Sequence, residues 1–384
     1  MANLHGSDKP AVLISACEAS ADTYGAELIR ATAGRAPEVR FAGLAGPLMR
    51  EAGCEPIADL AGRSAMLLGA VANVGVAVRV LWRLDRLLAA GRFAAAVLID
   101  SPTLNLPLAR RCRRRGVPVM YYVAPQTWAW GQFRVGKIRR RVDRLACILP
   151  FEPEYFAGHG IEATYVGHPL FDQLAGQAVD EQRVAGLRGS GQPVVALLPG
   201  SRRHVVGEVL PGQLEAARIV ARRFPSARFL VSVANDVARA VIEPAVAASG
   251  VAATLCHDDR AEMIRAADLA LVASGTATLE VAYHGTPMIV MYNASRWAYQ
   301  LIGRWLIHTR HLALINVLAG REVVPEFMPY YRSGEPIGQA AVEMLLHPDR
   351  LGRMRDELRQ VIAPLAKCGA SQAAAEMLLD MLPR

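Results

Sequence analysis

Short apolar runs that end in small or polar turns recur along the chain, and helix-like stretches separate them. Runs of this length are typical of buried β-strands. Strands that alternate with helices predict parallel sheets joined by right-handed crossovers. The predicted strands are residues 11–16, 94–99, 117–123, 194–198, 228–234, 269–273 and 287–292. The pattern therefore indicates an α/β protein.

The chain is long enough for two hydrophobic cores, since a single core stops growing at about 250–300 residues and the chain has 384. Residues 174–192 are rich in Gly and Gln and lie between two series of predicted strands, so we interpret them as an interdomain connection. We expect Rossmann-like lobes at residues 1–173 and 193–347. Residues 348–384 have helical patterning interrupted by Pro364, which predicts helices that pack across the lobes.

Composition narrows the class of protein. A hydrophobic content of 52% with 20% charged residues indicates a folded chain. The six cysteines are scattered without metal-ligand spacing, which predicts reduced thiols in the cytoplasm and no metal centre. Residues 1–10 are polar, so we expect no export signal.

The formal net charge of +8 and the isoelectric point near 9.4 favour an anionic partner. Residues 121–130 are rich in aromatics and precede a basic stretch, Arg134 to Arg141, a combination that suits single-stranded RNA. No nucleic-acid-binding module accompanies them, so we expect no nucleic acid partner. Residues 64–78 are uncharged and arginines follow them, so this segment is either an interfacial membrane element or a buried core helix.

Candidate acids and bases lie in turns that follow predicted strands. Residues 17–22 follow the first strand, so Glu18, Ser20 and Asp22 would lie at its carboxyl end, where open α/β sheets bind ligands. Asp100 follows another strand in the same way. A carboxylate there could orient or deprotonate a substrate hydroxyl, although helix capping by Ser20 or Asp22 explains the first turn equally well. The missing Gly-x-Gly-x-x-Gly pattern argues against a dinucleotide site.

Two turns in the second half of the chain suit phosphate groups. Residues 198–203 read Leu-Pro-Gly-Ser-Arg-Arg, in which Gly200 permits close backbone approach and Arg202 can bind phosphate through both terminal nitrogens. Residues 273–280 read Ala-Ser-Gly-Thr-Ala-Thr-Leu-Glu and precede a helix, whose N-terminus favours an anion. Glu280 could hold a ribose hydroxyl. Two independent helix caps remain the alternative.

Two further polar residues are candidates for smaller roles. Asn316 lies in a later loop and could add a polar contact to the ligand of these turns. His168 lies near the interdomain connection, where a structural role explains it better than catalysis. Neither residue by itself indicates a reaction.

Six motifs, in order along almost the whole chain, resemble the lipid-A-disaccharide synthase family. They are residues 121–130 (Tyr-Tyr-Val-Ala-Pro-Gln-Thr-Trp-Ala-Trp), 149–152 (Leu-Pro-Phe-Glu), 165–170 (Tyr-Val-Gly-His-Pro-Leu), 198–202, 273–280 and 316–326. The resemblance implies the GT-B fold, with a cleft between two Rossmann-like lobes, and inverting glycosyl transfer. Family members join UDP-2,3-diacylglucosamine to 2,3-diacylglucosamine 1-phosphate. The products are a β(1→6) disaccharide and UDP, formed at the cytoplasmic face of the inner membrane.

The resemblance also implies roles for individual residues. Asp100 would activate the acceptor hydroxyl, and Glu18 and Ser20 match residues on the opposite wall of the cleft. The residues implied to bind UDP or to lie beside it are Ser201, Arg202, Ser274, Gly275, Thr276, Thr278, Glu280 and Asn316. No metal or other cofactor is implied, since arginine and helix-end amides stabilise the departing diphosphate. A second copy of the chain is left open as a partner.

The sequence departs from the family pattern at four positions. Cys17 and Ala21 replace glycines, Thr103 replaces an aspartate, and Val205 replaces a glutamate. If either glycine position needs a positive φ, the loop has to shift. The departures keep three alternatives open: the disaccharide synthase, a UDP-sugar epimerase on the same fold, and a UDP-sugar- or lipid-binding homologue with an altered acceptor or without activity.

Overall fold

The chain divides into two compact units. Unit 1 comprises Met1–Gln173 and Lys367–Arg384, and unit 2 comprises Leu174–Ala366. The structure is a computed structural model, and it describes residues 11–58, 70–293, 309 and 311–383. Each unit is built on one β-sheet. No helix in these ranges is long and apolar enough to cross a membrane.

The sheet of unit 1 is parallel throughout. Its strands are β1 Ala11–Ser15, β2 Arg40–Leu44, β3 Glu55–Ala58, β4 Ala95–Ile99, β5 Val119–Tyr122, β6 Arg144–Cys147 and β7 Ala163–Tyr165. They pair in the order β3-β2-β1-β4-β5-β6-β7. The sheet grows in opposite directions from β1 and from β4, so the switch point, where open α/β sheets bind ligands, lies between these two strands.

The sheet of unit 2 repeats this plan. Its strands are β8 Val194–Leu198, β9 Arg228–Ser232, β10 Ala253–Cys256, β11 Leu269–Ala273, β12 Met288–Met291 and β13 Glu326–Phe327. They pair in parallel in the order β10-β9-β8-β11-β12-β13. The switch point therefore lies between β8 and β11.

Helices connect the strands in both units. Those that begin in unit 1 are α1 Ala19–Ala33, α2 Pro47–Glu51, α3 Ala70–Ala89, α4 Pro102–Arg114, a 3-10 turn Gln132–Arg134, α5 Val135–Arg141, α6 Glu152–Ala157 and α7 Pro169–Gly176. Those of unit 2 are α8 Glu181–Arg188, α9 Arg203–Arg223, α10 Asp236–Ser249, α11 Arg260–Ala266, α12 Ala277–Tyr283, α13 Leu314–Ala319, α14 Glu335–Leu345 and α15 Pro348–Ile362. The last helix is α16 Ala370–Leu379.

All seven predicted strands are present, and the α/β class is confirmed. Strands β4, β8 and β11 are buried at every position, because helices cover both faces of a parallel sheet. The hydrophobic pattern missed the outer strands. Strands β3, β7 and β10 each contain an exposed residue, and β13 has only two residues, so none of them forms a continuous apolar run.

The C-terminal helix α16 belongs to unit 1, whereas α14 and α15 belong to unit 2. The Asp172 carboxylate accepts hydrogen bonds at the start of α16 from the N–H groups of Gly369, at 2.6 Å, and Ser371, at 2.9 Å. Helix α16 packs against α1. Residues 174–192, expected to be a connection, lie in unit 2 and contain α8, whose N-terminus Asp180 caps.

Candidate functional site

In unit 1 the chain turns sharply at Asp100 and Ser101, directly after β4. Their φ angles are 48° and 45°, a conformation that costs a non-glycine residue about 1–3 kcal/mol and that clusters at functional sites. Helix α4 begins at once, and the Ser101 carbonyl accepts hydrogen bonds from the N–H groups of Leu104 and Asn105. Because β1 and β4 are neighbours, Asp100 lies at the switch point, as the sequence predicted.

Buried hydrogen bonds hold this turn in place. The side-chain amide of Asn105 donates to the carbonyl oxygens of Ile99, at 2.9 Å, and Asp100, at 2.8 Å. The Ser15 hydroxyl donates to Asn105 Oδ1 at 2.7 Å, and the Tyr121 hydroxyl donates to the Asp100 carbonyl at 2.5 Å. Asn105, Ser15 and Tyr121 are fully buried, so water does not compete for these bonds. Sequence reasoning did not identify the supporting role of any of the three, although Tyr121 opens one of the six motifs, because nothing in a strand-end motif identifies its buried supports.

The loop after β1 brings Glu18 to the same edge of the sheet. Glu18 is the extended residue that precedes α1, and Ser20 lies in the exposed first turn of that helix. Burial raises the pKa of the Cys17 thiol to about 12, and the nearby negative charges of Glu18 and Asp100 add to this effect. The structure thus brings Glu18 and Asp100 close to one thiol. That thiol is protonated at neutral pH, so it is not a nucleophile.

The departures from the family pattern in unit 1 are compatible with the backbone conformation that the structure shows. Neither Cys17 nor Ala21 has a positive φ, so replacing the family's glycines requires no shift of the backbone. Ala21 is a buried residue of α1. Thr103 is exposed in the first turn of α4, where a carboxylate would also stabilise the helix N-terminus.

Asp22 has a structural role, which corrects its candidacy as an acid or base. Its carboxylate accepts hydrogen bonds from the N–H groups of Leu48, at 3.0 Å, and Met49, at 3.2 Å. A Cβ at Gly46 would lie 2.4 Å from Asp22 Oδ2, so this contact requires glycine. The capping alternative is therefore correct, but the capped helix is α2 and not α1.

Two of the motifs meet at one buried carboxylate, Glu152. Its Oε1 atom accepts a hydrogen bond from the indole N–H of Trp128 at 3.1 Å. Its Oε2 atom accepts from the N–H groups of Ile148, at 3.1 Å, and Leu149, at 3.0 Å. Burial raises the pKa of Glu152 to about 7, although the three donors oppose that shift. Glu152 therefore joins the loops that follow β5 and β6.

The aromatic residues of this region divide between core and surface. Tyr121 and Tyr122 are fully buried, whereas Trp130 and Phe133 are among the exposed large apolar side chains. The guanidinium carbon of Arg134 lies 4.2 Å from the ring centroid of Trp130 and 5.0 Å from that of Phe133. Cation–π attraction holds Arg134 over these rings. The exposed pair offers apolar faces at the surface of unit 1.

In unit 2 the two phosphate-suited turns lie side by side. Strands β8 and β11 pair in parallel, with Leu198 beside Val272. A Cβ at Gly200 would lie 3.8 Å from the Cβ of Ala273, so the two turns are close neighbours. Gly200 has a φ of 103°, which explains the requirement for glycine at this position.

The first of these turns opens helix α9. Ser201 and Arg202 are exposed, no side chain caps the helix, and its first turn contains no acidic residue. The N-terminus therefore presents N–H groups and the positive end of the helix dipole. The Asn235 amide donates to the Ser201 carbonyl at 3.2 Å. Val205, which replaces a family glutamate, is buried beneath Gly200, with its Cγ1 atom 3.0 Å from the position of a Cβ there.

The second turn is open at its tip. The Ser274 N–H donates to the Met291 carbonyl at 3.0 Å. Gly275 has a φ of 143°, no atom lies within 4 Å of a Cβ built there, and Thr276 is exposed. Thr278 differs, because it is buried and its hydroxyl donates to the Gly275 carbonyl at 2.8 Å. Thr278 therefore supports the turn, and the contact with UDP that the resemblance implies for it stays a prediction.

Glu280 follows on α12 and forms an ion pair with Arg260, which begins α11. The two groups lie 2.6 Å apart, from Oε2 to Nη2. Burial raises the pKa of Glu280, and the Arg260 guanidinium partly reverses the shift. The pair fixes the direction of the Glu280 carboxylate at the edge of the turn.

Asn316, which the sequence placed beside UDP, is buried and uses its side-chain amide within its own loop. Its amide nitrogen donates to the Val324 carbonyl at 2.9 Å and to Glu326 Oε2 at 3.0 Å. Its oxygen accepts from the N–H groups of Val323, at 2.8 Å, and Val324, at 3.0 Å. Glu326 also accepts from the Ala313 N–H at 2.8 Å, at the start of α13. These hydrogen bonds hold the loop in place, and a contact of Asn316 with the nucleotide stays a prediction.

His168 is structural, as the sequence analysis inferred. It is buried, and its Nδ1 atom accepts a hydrogen bond from the Leu170 N–H at 3.2 Å. Its ring packs edge-on against Tyr24 and Phe171, and burial lowers its pKa to about 4. Among the residues that the structure describes, no three His, Cys, Asp or Glu side chains are grouped to hold a metal ion.

The family model for lipid-A-disaccharide synthetase matches residues 12–379. The chain belongs to the lipid-A-disaccharide synthase family. The lipid-A-disaccharide synthase of Syntrophus aciditrophicus is 39% identical to it over 378 residues, which cover 97% of this chain and 98% of the relative. That of Geobacter sulfurreducens is 35% identical over 373 residues, 97% of each chain. The family predicted from the motifs is confirmed.

Solved structures show the fold class of this lipid-A-disaccharide synthase family member. A UDP-glucosyltransferase from Polygonum tinctorium superposes with a TM-score of 0.61 at 12% identity and covers 98% of this chain and 99% of that one. A likeness at such low identity concerns the fold alone. The fold is the GT-B class of glycosyltransferases, as predicted.

Proposed function

We propose that this chain transfers a diacylglucosamine residue from UDP-2,3-diacylglucosamine to 2,3-diacylglucosamine 1-phosphate, with inversion and release of UDP. One observation carries the proposal: in each unit the motif residues lie at strand ends beside the switch point. Many reactions use this fold, and family membership favours this hexosyl transfer over the others. The substrates and the residue roles below are part of the proposal.

Unit 1 supplies the acceptor half of the mechanism. The primary hydroxyl of the acceptor attacks the anomeric carbon, its proton passes to Asp100, and the bond between that carbon and the UDP oxygen breaks. Asn105 and Tyr121 hold the turn that carries Asp100, so little reorganisation is needed before proton transfer. Glu18, at the same edge, would orient the acceptor together with Ser20.

Unit 2 supplies the donor half. Arg202 and the N–H groups at the start of α9 would neutralise the diphosphate as negative charge develops on it. The open turn of Ser274, Gly275 and Thr276 would contact the phosphates on the side opposite Arg202. Glu280, held by Arg260, would accept a hydrogen bond from a ribose hydroxyl.

We propose that no metal takes part, because an arginine and a helix N-terminus already provide positive charge at the leaving group. We also propose that the protein works on the cytoplasmic surface of the inner membrane. The exposed Trp82 on α3 supports this, since its neighbours Val78, Arg79 and Arg83 are exposed too and such a mixture suits a lipid interface. Residues 64–69 of segment 64–78, which the sequence left open between an interfacial element and a core helix, lie outside the described residues.

The test is an assay with purified protein and both lipid substrates, read as disaccharide and UDP formed in equal amounts. We expect turnover by the natural protein and at least a hundredfold loss on Asp100→Asn. Glu38→Gln, which changes an exposed carboxylate of the same unit, should retain full activity. The same assay with excess EDTA should give an unchanged rate.

Other results identify the alternatives. Conversion of soluble UDP-N-acetylglucosamine without any acceptor would indicate an epimerase. Tight UDP binding without turnover of any donor would indicate a binding homologue. A disaccharide produced equally by the Asp100→Asn variant would refute the assignment of the base while leaving the reaction intact.

A further inference from the structure

The C-terminal ends of α4 and α5 enclose a cleft whose lining is entirely arginine. Its volume is about 510 Å³, enough for a phosphorylated headgroup. The residues that line it are Arg110, Arg113, Arg114, Arg140 and Arg141. Arginines stabilise helix C-termini, which accounts for one or two in each helix but not for five that converge on one cavity. We call this feature the arginine cleft.

Few protein acceptors balance the charge of the arginine cleft. Arg113 pairs with Asp143, and Arg141 donates to the Leu106 carbonyl at 3.0 Å. The structure records no hydrogen bond or ion pair from Arg110, Arg114 or Arg140 to another described residue, and all three are exposed. These guanidinium groups are therefore available to an anion.

The arginines also repel one another. Partial burial lowers the pKa of Arg141, and the positive charges of Arg110 and Arg140 lower it further. Like charges held this close gain most from a ligand of opposite charge. A bound anion would relieve the repulsion that the folded chain maintains.

The arginine cleft is separate from the turn that carries Asp100. Arg110 and Arg114 follow Pro102 on α4, and the helical rise places them about 12–18 Å further along the axis. A ligand in the arginine cleft would therefore bind apart from Asp100, whether or not the chain carries out the proposed glycosyl transfer.

We propose that the arginine cleft is a binding site for phosphate groups, carried by an anionic lipid headgroup or by a free phosphorylated compound. The planar guanidinium fork matches two phosphate oxygens at once, and several forks around one cavity select multiply charged phosphates over carboxylates. A lipid source would add an anchoring point on unit 1, and a free source would make the cleft a second small-molecule site.

The experiment uses the full chain and two triple variants. The cleft variant combines Arg110→Gln, Arg114→Gln and Arg140→Gln. The control variant combines Arg218→Gln, Arg222→Gln and Arg353→Gln, which remove the same charge from exposed positions of unit 2. Each protein is tested for sedimentation with phosphatidylcholine vesicles that contain about one fifth phosphatidylglycerol, and for calorimetric binding of inorganic pyrophosphate. Circular dichroism confirms folding, and the single change Arg114→Gln serves if the triple variant does not fold.

Each basic residue near an anionic surface strengthens binding about fivefold. We therefore expect the cleft variant to bind on the order of a hundredfold more weakly in one of the two assays, the one whose probe resembles the natural ligand. The control variant should bind less than about threefold more weakly in either assay. Loss with vesicles alone identifies a lipid headgroup, and loss with pyrophosphate in solution identifies a free phosphate. Equal losses in both variants, or no loss in the cleft variant in either assay, would each overturn the proposal.

Discussion

The side-chain amide nitrogen of Asn105 lies 2.8 Å from the carbonyl oxygen of Asp100. Asn105 is fully buried in α4, so a core residue of the helix sets the position of a strained residue on the sheet edge. This arrangement separates two tasks. Asp100 carries the proposed proton transfer, while Asn105 maintains the backbone conformation that aims its carboxylate.

Replacing Asn105 should therefore lower kcat more than it changes KM. Asn105→Ala removes both donated bonds and the oxygen that accepts from the Ser15 hydroxyl, and a misplacement of about 1 Å can cost about a hundredfold in rate. We expect a loss of that order in kcat and about 1–3 kcal/mol in the free energy of unfolding. Ser15→Ala, which removes one bond to Asn105, should lose much less activity. Steady-state kinetics and urea unfolding measure the two effects, and an unchanged kcat in Asn105→Ala would contradict the supporting role.

Glu280 should confer a preference for ribose over deoxyribose. If its carboxylate accepts a hydrogen bond from a ribose hydroxyl, UDP should bind about tenfold more tightly than 2′-deoxy-UDP, since a charged acceptor left unpaired is costly. Glu280→Gln and Arg260→Ala should both reduce that ratio. Glu243→Gln, on the exposed surface of α10, should leave it unchanged. Calorimetric titration of both nucleotides decides the matter, and a ratio near one in the natural protein would exclude contact with the 2′-hydroxyl.

Gly275 and Gly207 allow the effect of backbone conformation on stability to be separated from the effect of the space available to a side chain. No atom lies within 4 Å of a Cβ built at Gly275 or at Gly207, but Gly275 has a φ of 143° and Gly207 is helical. Gly275→Ala should destabilise the protein by about 1–2 kcal/mol and weaken UDP binding. Gly207→Ala should stabilise it by up to about 1 kcal/mol through helix propensity. Urea unfolding and UDP titration of the two variants test this opposition in sign.

Glu152 should make stability depend on pH between its usual pKa of 4.5 and its folded pKa of about 7. Below pH 4.5 the carboxyl group is neutral in both the folded and the unfolded chain. Its full contribution to the free energy of unfolding is then present. As pH rises through 7, the unfolded chain has already released the proton that the folded chain still holds, so the contribution is lost. The loss amounts to about 3 kcal/mol.

The measurement compares natural protein with Glu152→Gln by urea unfolding from pH 5 to pH 8. As pH rises, the free energy of unfolding of the natural protein should fall relative to that of Glu152→Gln. Glu154→Gln, an exposed residue of the same helix, is the matched control and should show no such shift. A difference that stays constant with pH would mean that Glu152 is ionised throughout this range in the folded chain.

The sequence predicted the positions of the strand-end turns better than the use of their side chains. Asp100 and the turn containing Gly200 were found because buried strands leave continuous apolar runs that end visibly. The hydrogen bonds of Asn316 and Thr278 to backbone were not foreseen, because a polar residue in a motif can equally satisfy the buried backbone around it. The hydrogen bonds concerned join residues three to ten positions apart, within one motif, and they depend on loop geometry that sequence spacing does not encode.

The capping of α16 by Asp172 has a consequence for biosynthesis. Unit 1 begins at the N-terminus but receives Lys367–Arg384 only after all of unit 2 has been made. All of the second unit therefore emerges from the ribosome before helix α16 of the first unit can pack against α1. During synthesis the nascent first unit exposes the surface that α16 later covers, and a chain stopped at Ala366 would leave the first unit incomplete while the second retained every residue.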